Sequence, residues 1–201
     1  ILIESDPHSV ARFGKFLQSE HLAGMEVACN IEDPSLKIRR FDLPQMPSYD
    51  LKEAIQWQLR DIVEDASDLY QFQYSLIEEY VSGETRRLAL QVYAVHKEAI
   101  RLQASLLKRL QLRPVLIEPS AVALLRAVDR FVTWQQGATV GILDLGEGRS
   151  GFLAVGEGRL FFSRPLTEVS GGLLSQTISK ELSISESEGR DLKEVLIRKQ
   201  A

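Results

Sequence analysis

Cysteine is nearly absent: Cys29 stands alone, so no disulfide can close within the chain, and nothing points to an oxidising compartment. A cytoplasmic location is expected. No apolar run approaches the roughly 20 residues that a bilayer-spanning helix needs, and the opening Ile1-Leu2-Ile3-Glu4-Ser5-Asp6 lacks the charged-then-apolar plan of a signal peptide. Any membrane association is therefore expected through a partner. Basic charge is short as well. With 24 Lys and Arg against 28 Asp and Glu, and a formal net charge of -4, the chain has no broad positive field for a phosphate polyanion, and nucleic acid is not expected. The pairs Arg39-Arg40 and Lys108-Arg109 read as solvated faces. His8, His21 and His96 are far apart and have no cysteine or carboxylate at ligand spacing, which argues against a metal centre. Glu64-Asp65 with Asp68 reads as a solvated acidic loop. Ser150 precedes a glycine, but no histidine lies in a companion motif, so hydrolase chemistry has no support.

What is present suits a globular chain. At 201 residues and 44% hydrophobic composition it can bury one large core or two small ones. Val10, Phe13, Phe16 and Leu17 lie at helical spacing across 9–20. The stretches 25–31 and 37–43 flank Asp33-Pro34-Ser35 and predict a strand pair. A helix over 51–64 follows, with Asp50 and Glu53 at capping-box spacing and Leu51, Ile55, Leu59 and Ile62 on its buried face. Strand patterns at 69–81 and 86–95 are joined by the hairpin signal Ser82-Gly83-Glu84, and a helix over 97–110 comes next. The order strand, strand, helix, strand, strand, helix over 25–111 predicts a compact α+β unit. A strand at 114–118 then leads through Pro119-Ser120 into a helix apolar almost all round at 121–128, expected to be buried. Three strands at 138–145, 151–155 and 159–164, separated by Gly146-Glu147-Gly148 and Gly156-Glu157-Gly158, predict a meander. A helix follows Gly171-Gly172, carrying Leu173, Leu174, Ile178 and Leu182, and Ser185 with Glu188 caps a last one. A boundary is expected near Arg113-Pro114. The start on Ile and the amphipathic ending Leu196-Ile197-Arg198-Lys199 lead us to expect a piece of a longer protein.

Three features carry chemistry. In Asp144-Leu145-Gly146-Glu147-Gly148-Arg149-Ser150, the glycines let backbone N–H groups approach phosphate oxygens, and the carboxylate at the strand end can hold magnesium through water. The same residues also describe a glycine-rich hairpin turn, as at 156–158. Gly171-Gly172, with Ser175 and Thr177 behind, either sets a helix N-terminus against an anion or gives a loop its freedom before a cap. Trp57, with Tyr70, Phe72 and Tyr74 alternating along a strand, either forms an exposed groove for a partner peptide or packs against neighbouring structure.

The elements from 114 onward, with Gly141-Ile142-Leu143-Asp144-Leu145-Gly146, resemble the second half of actin-like ATPases, and most of the chain resembles the PilM family of type IV pilus assembly. Leu43-Pro44-Gln45-Met46-Pro47, the strand end at 94–97, Glu118-Pro119-Ser120-Ala121-Val122-Ala123-Leu124, and the stretch 161–172 with Arg164 and the glycine pair add to that resemblance. It implies a fragment of an actin-like ATPase fold, α+β and α/β, with an inserted small α+β subdomain of SHS2-like kind. Residues 1–24 would be the remnant of a first subdomain, 25–111 the insertion, and 112–201 part of the second actin-like half. The resemblance further implies that the intact protein binds ATP and Mg, at most as a slow ATPase. Asp144, Gly146, Gly148, Ser150, Gly171, Gly172 and Lys193 would line the nucleotide, and Asp144 would hold the metal through water. The implied partners are the tail of a PilN-like inner-membrane protein, docked near Trp57, Tyr70 and Phe72, and other pilus assembly components. The family's first phosphate loop and final subdomain have no counterpart here, so a complete nucleotide site is not expected within this chain. Arg190 stands where the family usually presents a glutamate three residues before the lysine, and Trp57-Gln58-Leu59-Arg60-Asp61 departs from the usual Pro-Phe pair. Both departures keep open a nucleotide-free adaptor of the MSHA-pilus or type II secretion kind. A sugar-kinase-like enzyme would need a catalytic aspartate and a sugar pocket, and neither is found.

Overall fold

The computed structural model describes residues 7–63 and 66–198, and the chain divides into two compact units between Val128 and Asp129. In the first unit, α1 (Pro7–Ser19) precedes β1 (Glu26–Ile31), β2 (Lys37–Pro44) and α2 (Ser48–Leu59). A 3-10 turn at Ser67–Leu69 then enters β3 (Tyr70–Ser82), β4 (Thr85–His96), α3 (Lys97–Arg109), β5 (Arg113–Pro119) and α4 (Ser120–Asp129).

The expected strand pair at 25–43 is not formed. β1 instead pairs in parallel with β5, from Glu26 opposite Arg113 to Ile31 opposite Pro119, while β2 pairs antiparallel with β4. The separation begins at Asp33, whose Oδ1 accepts hydrogen bonds from the Ser35 amide at 2.9 Å and the Ser35 hydroxyl at 2.6 Å. Such a turn redirects the chain instead of folding it back on itself. Ser35 Oγ in turn accepts the His96 amide at 3.1 Å, which delivers β2 to the far end of β4. The result is a three-stranded sheet in the order β2-β4-β3 beside a two-stranded β1-β5 sheet. The β3–β4 hairpin is tight where expected, with Gly83 at φ +63°, a left-handed value that suits glycine in a two-residue turn.

One face of the three-stranded sheet buries Phe41, Leu43, Tyr70, Leu88, Leu90, Val92 and Ala94 against Leu51, Ile55 and Leu59 of α2. Ile55 and Leu59 are wholly buried. The helix starts three residues earlier than its pattern predicts, at Ser48, with Pro47 before it and no side-chain cap, so the Asp50–Glu53 capping box is not made. Asp50 lies inside the first turn, where a carboxylate favours the helix dipole. The helix ends at Leu59, yet Ile62 still packs on the core. Glu64 and Asp65 lie outside the described residues. The other sheet face is mixed, with Ala89, Gln91 and Val95 buried along β4 and charged residues on β2 and β3 beside them. There the Arg40 guanidinium bonds Asp42 and Glu78, holding the Asp42 carboxyl below its usual range despite partial desolvation.

His96 caps α3, its Nδ1 accepting the Glu98 amide at 3.2 Å, and Lys108 and Arg109 close the helix where cations suit the dipole. A smaller core joins Val10 and Leu17 of α1 to Leu110 after α3. The apolar helix α4 is not enclosed as its composition predicts: only Leu125 is buried, and the remaining apolar residues stay partly exposed. An apolar helix is enclosed only when structure covers every side, and the described residues supply cover on one.

In the second unit, β6 (Val140–Leu145), β7 (Ser150–Gly156) and β8 (Arg159–Leu166) form the predicted antiparallel meander. Glu157 and Gly158, at φ +49° and +71°, make the turn between β7 and β8. Leu153, Val155 and Leu160 are buried, whereas Leu143, Leu145, Phe152 and Phe162 remain exposed. Helices α5 (Gly171–Leu182) and α6 (Glu186–Arg198) follow. The predicted Ser185–Glu188 box is made in both directions, with the Ser185 amide donating at 2.8 Å and the Glu188 amide donating back at 3.3 Å. The face of α5 that is buried carries Ser175 and Ser179, not Leu173, Leu174 and Leu182, which are exposed. Small residues permit this close approach: a Cβ on Gly189 of α6 would stand 2.7 Å from the Ser175 carbonyl oxygen.

Candidate functional site

The β6–β7 loop, the start of α5 and the middle of α6 meet around one carboxylate. The loop closes on itself through the Gly146 amide, which donates to the Arg149 carbonyl at 3.0 Å, and a Cβ on Gly146 would run into that same carbonyl. Glycine is thus required there by backbone approach. The loop's carbonyls then point at α5. Gly171 N–H donates to the Gly146 oxygen at 2.9 Å, and Gly172 N–H donates to the Glu147 oxygen at 2.7 Å. Ser170 caps the same helix, its hydroxyl accepting the Leu173 amide at 3.2 Å and its carbonyl the Leu174 amide at 3.0 Å. The N–H groups that open a helix ordinarily lack partners. Here the amides of Gly171, Gly172, Leu173 and Leu174 are all engaged.

Lys193 reaches this point from α6. Its ammonium donates to Glu147 Oε2 at 2.5 Å and to the Gly171 carbonyl at 2.9 Å, and the residue is only 7% exposed. Arg190 Nε stands 3.8 Å from Glu147 Oε1, so the carboxylate meets two cations about one turn apart on the same face of α6. The close fit extends to the glycine pair: a Cβ on Gly171 would stand 3.2 Å from both Lys193 Nζ and the Glu147 Cα.

Six of the seven residues expected at a nucleotide therefore fall on or beside this loop and its neighbours, with Asp144 on β6 opposite Gly151 and exposed. Gly148 shares the loop, but a Cβ there would meet nothing within 4 Å, so no close contact requires a glycine. Ser150 is buried and its hydroxyl has no hydrogen-bond partner. Glu147 is the residue that sequence reasoning passed over, although it stands inside the quoted motif. As arranged, the residues do not fit a phosphate: the donors it would use are held by loop carbonyls, and the lysine holds a carboxylate. Among the described residues no group of three or more His, Cys, Asp or Glu side chains could hold a metal ion, and Asp144 has no such companions.

The three aromatic residues expected at a partner do not share a surface. Trp57 is 64% exposed on the outer side of α2, bordering a shallow depression with Asp50, Glu53, Gln56 and Arg60. Tyr70 lies beneath α2, 5% exposed, its ring edge-on to His96 at 5.5 Å. Phe72 and Tyr74 are partly buried against the same core. Strand alternation turns all three toward the helix, so packing within the unit accounts for Tyr70 and Phe72.

No protein-family profile and no curated protein sequence matches the chain. Among solved structures, it superposes on a chain of a PilM-PilN type IV pilus biogenesis complex with a TM-score of 0.80, covering 94% of this chain and 56% of that one at 17% identity. The cytoplasmic domain of EpsL, an inner membrane component of the type II secretion system of Vibrio cholerae, aligns with a TM-score of 0.50 over 89% of this chain and 63% of that one, at 12% identity. These likenesses establish the fold, a mixed α/β architecture shared with the chain of the PilM-PilN complex. The chain spans little more than half the length of the PilM-PilN complex chain that it matches.

Proposed function

We propose that the protein carrying this chain is an actin-like scaffold of type IV pilus assembly, or of a related type II secretion machine. In this reading it docks the cytoplasmic tail of an inner-membrane protein of PilN-like kind. The supporting observation is the fold match through 94% of the chain to a protein from a PilM-PilN complex. No described helix is long and apolar enough to cross a membrane, which suits a component that reaches the bilayer through its partner. Of the three aromatics, Trp57 is the strongly exposed one, beside the mixed charges of Asp50, Glu53 and Arg60, which supports reading it as the contact for a tail peptide. An exposed tryptophan of this kind is a frequent anchor in protein interfaces.

The test is a titration of the full-length protein with a fluorescent peptide of the tail of the inner-membrane protein that accompanies it. Binding is expected, with Trp57→Ala weakening it by about tenfold, the effect of losing one interface anchor. A peptide that does not bind refutes docking, and an unchanged affinity removes Trp57 from it.

ATP and Mg belong to this reading as ligands of the intact protein that bias its conformation. A second reading, an adaptor without nucleotide, draws support from one observation: Glu147 holds the lysine that a phosphate would need. Magnesium-ATP titrated into the full-length protein separates the two.

A further inference from the structure

We propose that the outer edge of β3 from Phe72 to Leu76 is a self-association surface, on which a second copy of this chain pairs antiparallel about a two-fold axis. This surface lies outside the preceding reading and does not depend on tail docking.

The two edges of the β2-β4-β3 sheet differ in how their backbone groups are satisfied. Gln45 N–H donates to the Arg86 carbonyl at 2.8 Å, one residue past the Pro44–Arg87 pair that ends β2. Bonded and non-bonded pairs alternate along an antiparallel ladder. Counting back from Gln45, Leu43, Phe41 and Arg39 bond to β4, while Asp42, Arg40 and Ile38 turn their amides and carbonyls outward. Side chains close that edge. Arg39 Nη1 donates to the Ile38 carbonyl at 2.9 Å, and Arg87 Nη2 donates to the Asp42 carbonyl at 2.6 Å. The same alternation, carried across β4, bonds Gln71, Gln73 and Ser75 to it and turns the backbone groups of Phe72, Tyr74 and Leu76 outward. Among the described residues no side chain caps those three carbonyls. This edge also lacks the devices that ordinarily blunt one. From Leu69 to Ile77 the chain carries no charge, proline or glycine, and the bulge comes only after Leu76.

What fits the edge is a copy of itself. The outward-facing residues all lie on the sheet face that carries α2, where Phe72 and Tyr74 are partly buried and Leu76 is 47% exposed. A two-fold axis through Tyr74 sets the two Tyr74 residues opposite one another, and Phe72 of each copy opposite Leu76 of the other. On the other face, Gln73 of each copy meets Ser75 of the other. Apolar thus faces apolar and polar faces polar, and no like charges are opposed, because Glu78 and Glu79 fall outside the paired stretch. A foreign strand needs that alternation supplied; a second copy has it by symmetry. The contact is isologous and closes as a dimer. It is narrow, so the dimer is expected to be weak.

The experiment is sedimentation velocity of the full-length protein from about 1 to 100 µM, a range that brackets weak dimers, with hydrogen exchange followed at both ends. A concentration-dependent dimer is expected. The amides of Phe72, Tyr74 and Leu76 should gain protection at the high end, while those of Ile38 and Arg40 should not. Leu76→Pro removes an outward N–H without touching the ladder to β4, at a place where an edge strand accepts proline. It is expected to weaken the dimer by about tenfold or more, and Leu76→Ala, which keeps the N–H, by less. A protein that stays monomeric overturns the proposal. So does a dimer that leaves the three amides unprotected, or one that Leu76→Pro does not weaken. Protection of those amides in a monomer on adding the tail peptide also overturns it, and assigns the edge to the peptide instead. Should Leu76→Pro fail to fold, the exchange pattern of the wild type decides alone.

Discussion

Replacing Gly172 by alanine tests whether the β6–β7 loop is seated on α5 as the structure has it. Two effects oppose each other. Alanine is favoured over glycine in a helix by up to about 1 kcal/mol, and by less in a first turn. Against that, the new Cβ would stand 2.9 Å from the Glu147 carbonyl oxygen, a backbone atom that cannot rotate away. The loop would have to retreat, at a cost of about 1–3 kcal/mol for overpacking. It would also lengthen the 2.7 Å bond from the Gly172 amide to that oxygen, worth about 0.5–1.5 kcal/mol. The net expectation is a loss of about 1–3 kcal/mol, confined to the second unit. Trp57 and Trp134 are the two tryptophans and fall in different units, so in a Trp57→Phe background urea unfolding followed by Trp134 fluorescence reports on the unit concerned. Gly148→Ala is the matched control. Nothing lies within 4 Å of its added Cβ, and a change within about 0.5 kcal/mol is expected. A Gly172→Ala protein as stable as wild type would show that the loop does not sit on the helix in this way.

Tyr70→Ala is expected to destabilise the first unit by about 3–5 kcal/mol, as removal of a large buried aromatic does, whereas Trp57→Ala, exposed by 64%, should shift the urea midpoint little; a comparable loss in both would contradict the placement of α2 over the sheet. The Tyr93 phenol is raised above its ordinary range chiefly by burial, with the Ser75 hydroxyl at 3.5 Å pulling the other way. Because the folded value lies above the unfolded one of about 10, the stability tied to Tyr93 is full below that pH and is lost as pH rises through the folded value. Tyr93→Phe should flatten this alkaline loss, and its phenolate absorbance titration should lack a late-ionising tyrosine that wild type shows; an unaltered alkaline limb would refute the burial.

The parts of the fold that the sequence makes legible are those closed locally. The β3–β4 hairpin and the β6–β7–β8 meander follow from alternation interrupted by glycine turns, and the Ser185–Glu188 box follows from two residues three apart. The parallel pairing of β1 with β5 was not legible, because apolar alternation fixes which face of a strand is buried but not which distant strand lies beside it. The Asp33 turn that parts β1 from β2 reads as an ordinary hairpin signal until its side-chain bonds are seen. The all-apolar α4 misleads for a related reason, since composition records the burial a helix can accept and not the neighbours it receives. The candidate site divides along the same line. Gly146, Gly171, Gly172 and Lys193 are marked by type and spacing, and the structure does bring them together. What spacing could not carry is the direction of one side chain. Whether Glu147 faces water or turns back to a lysine 46 residues away depends on where α6 lies against the loop, and that contact alone decides whether the lysine is free for a ligand or already satisfied. A motif supplies the donors of such a site; the charge state that a ligand meets is set by the tertiary contact, so substitution at 147 probes what the motif leaves undetermined.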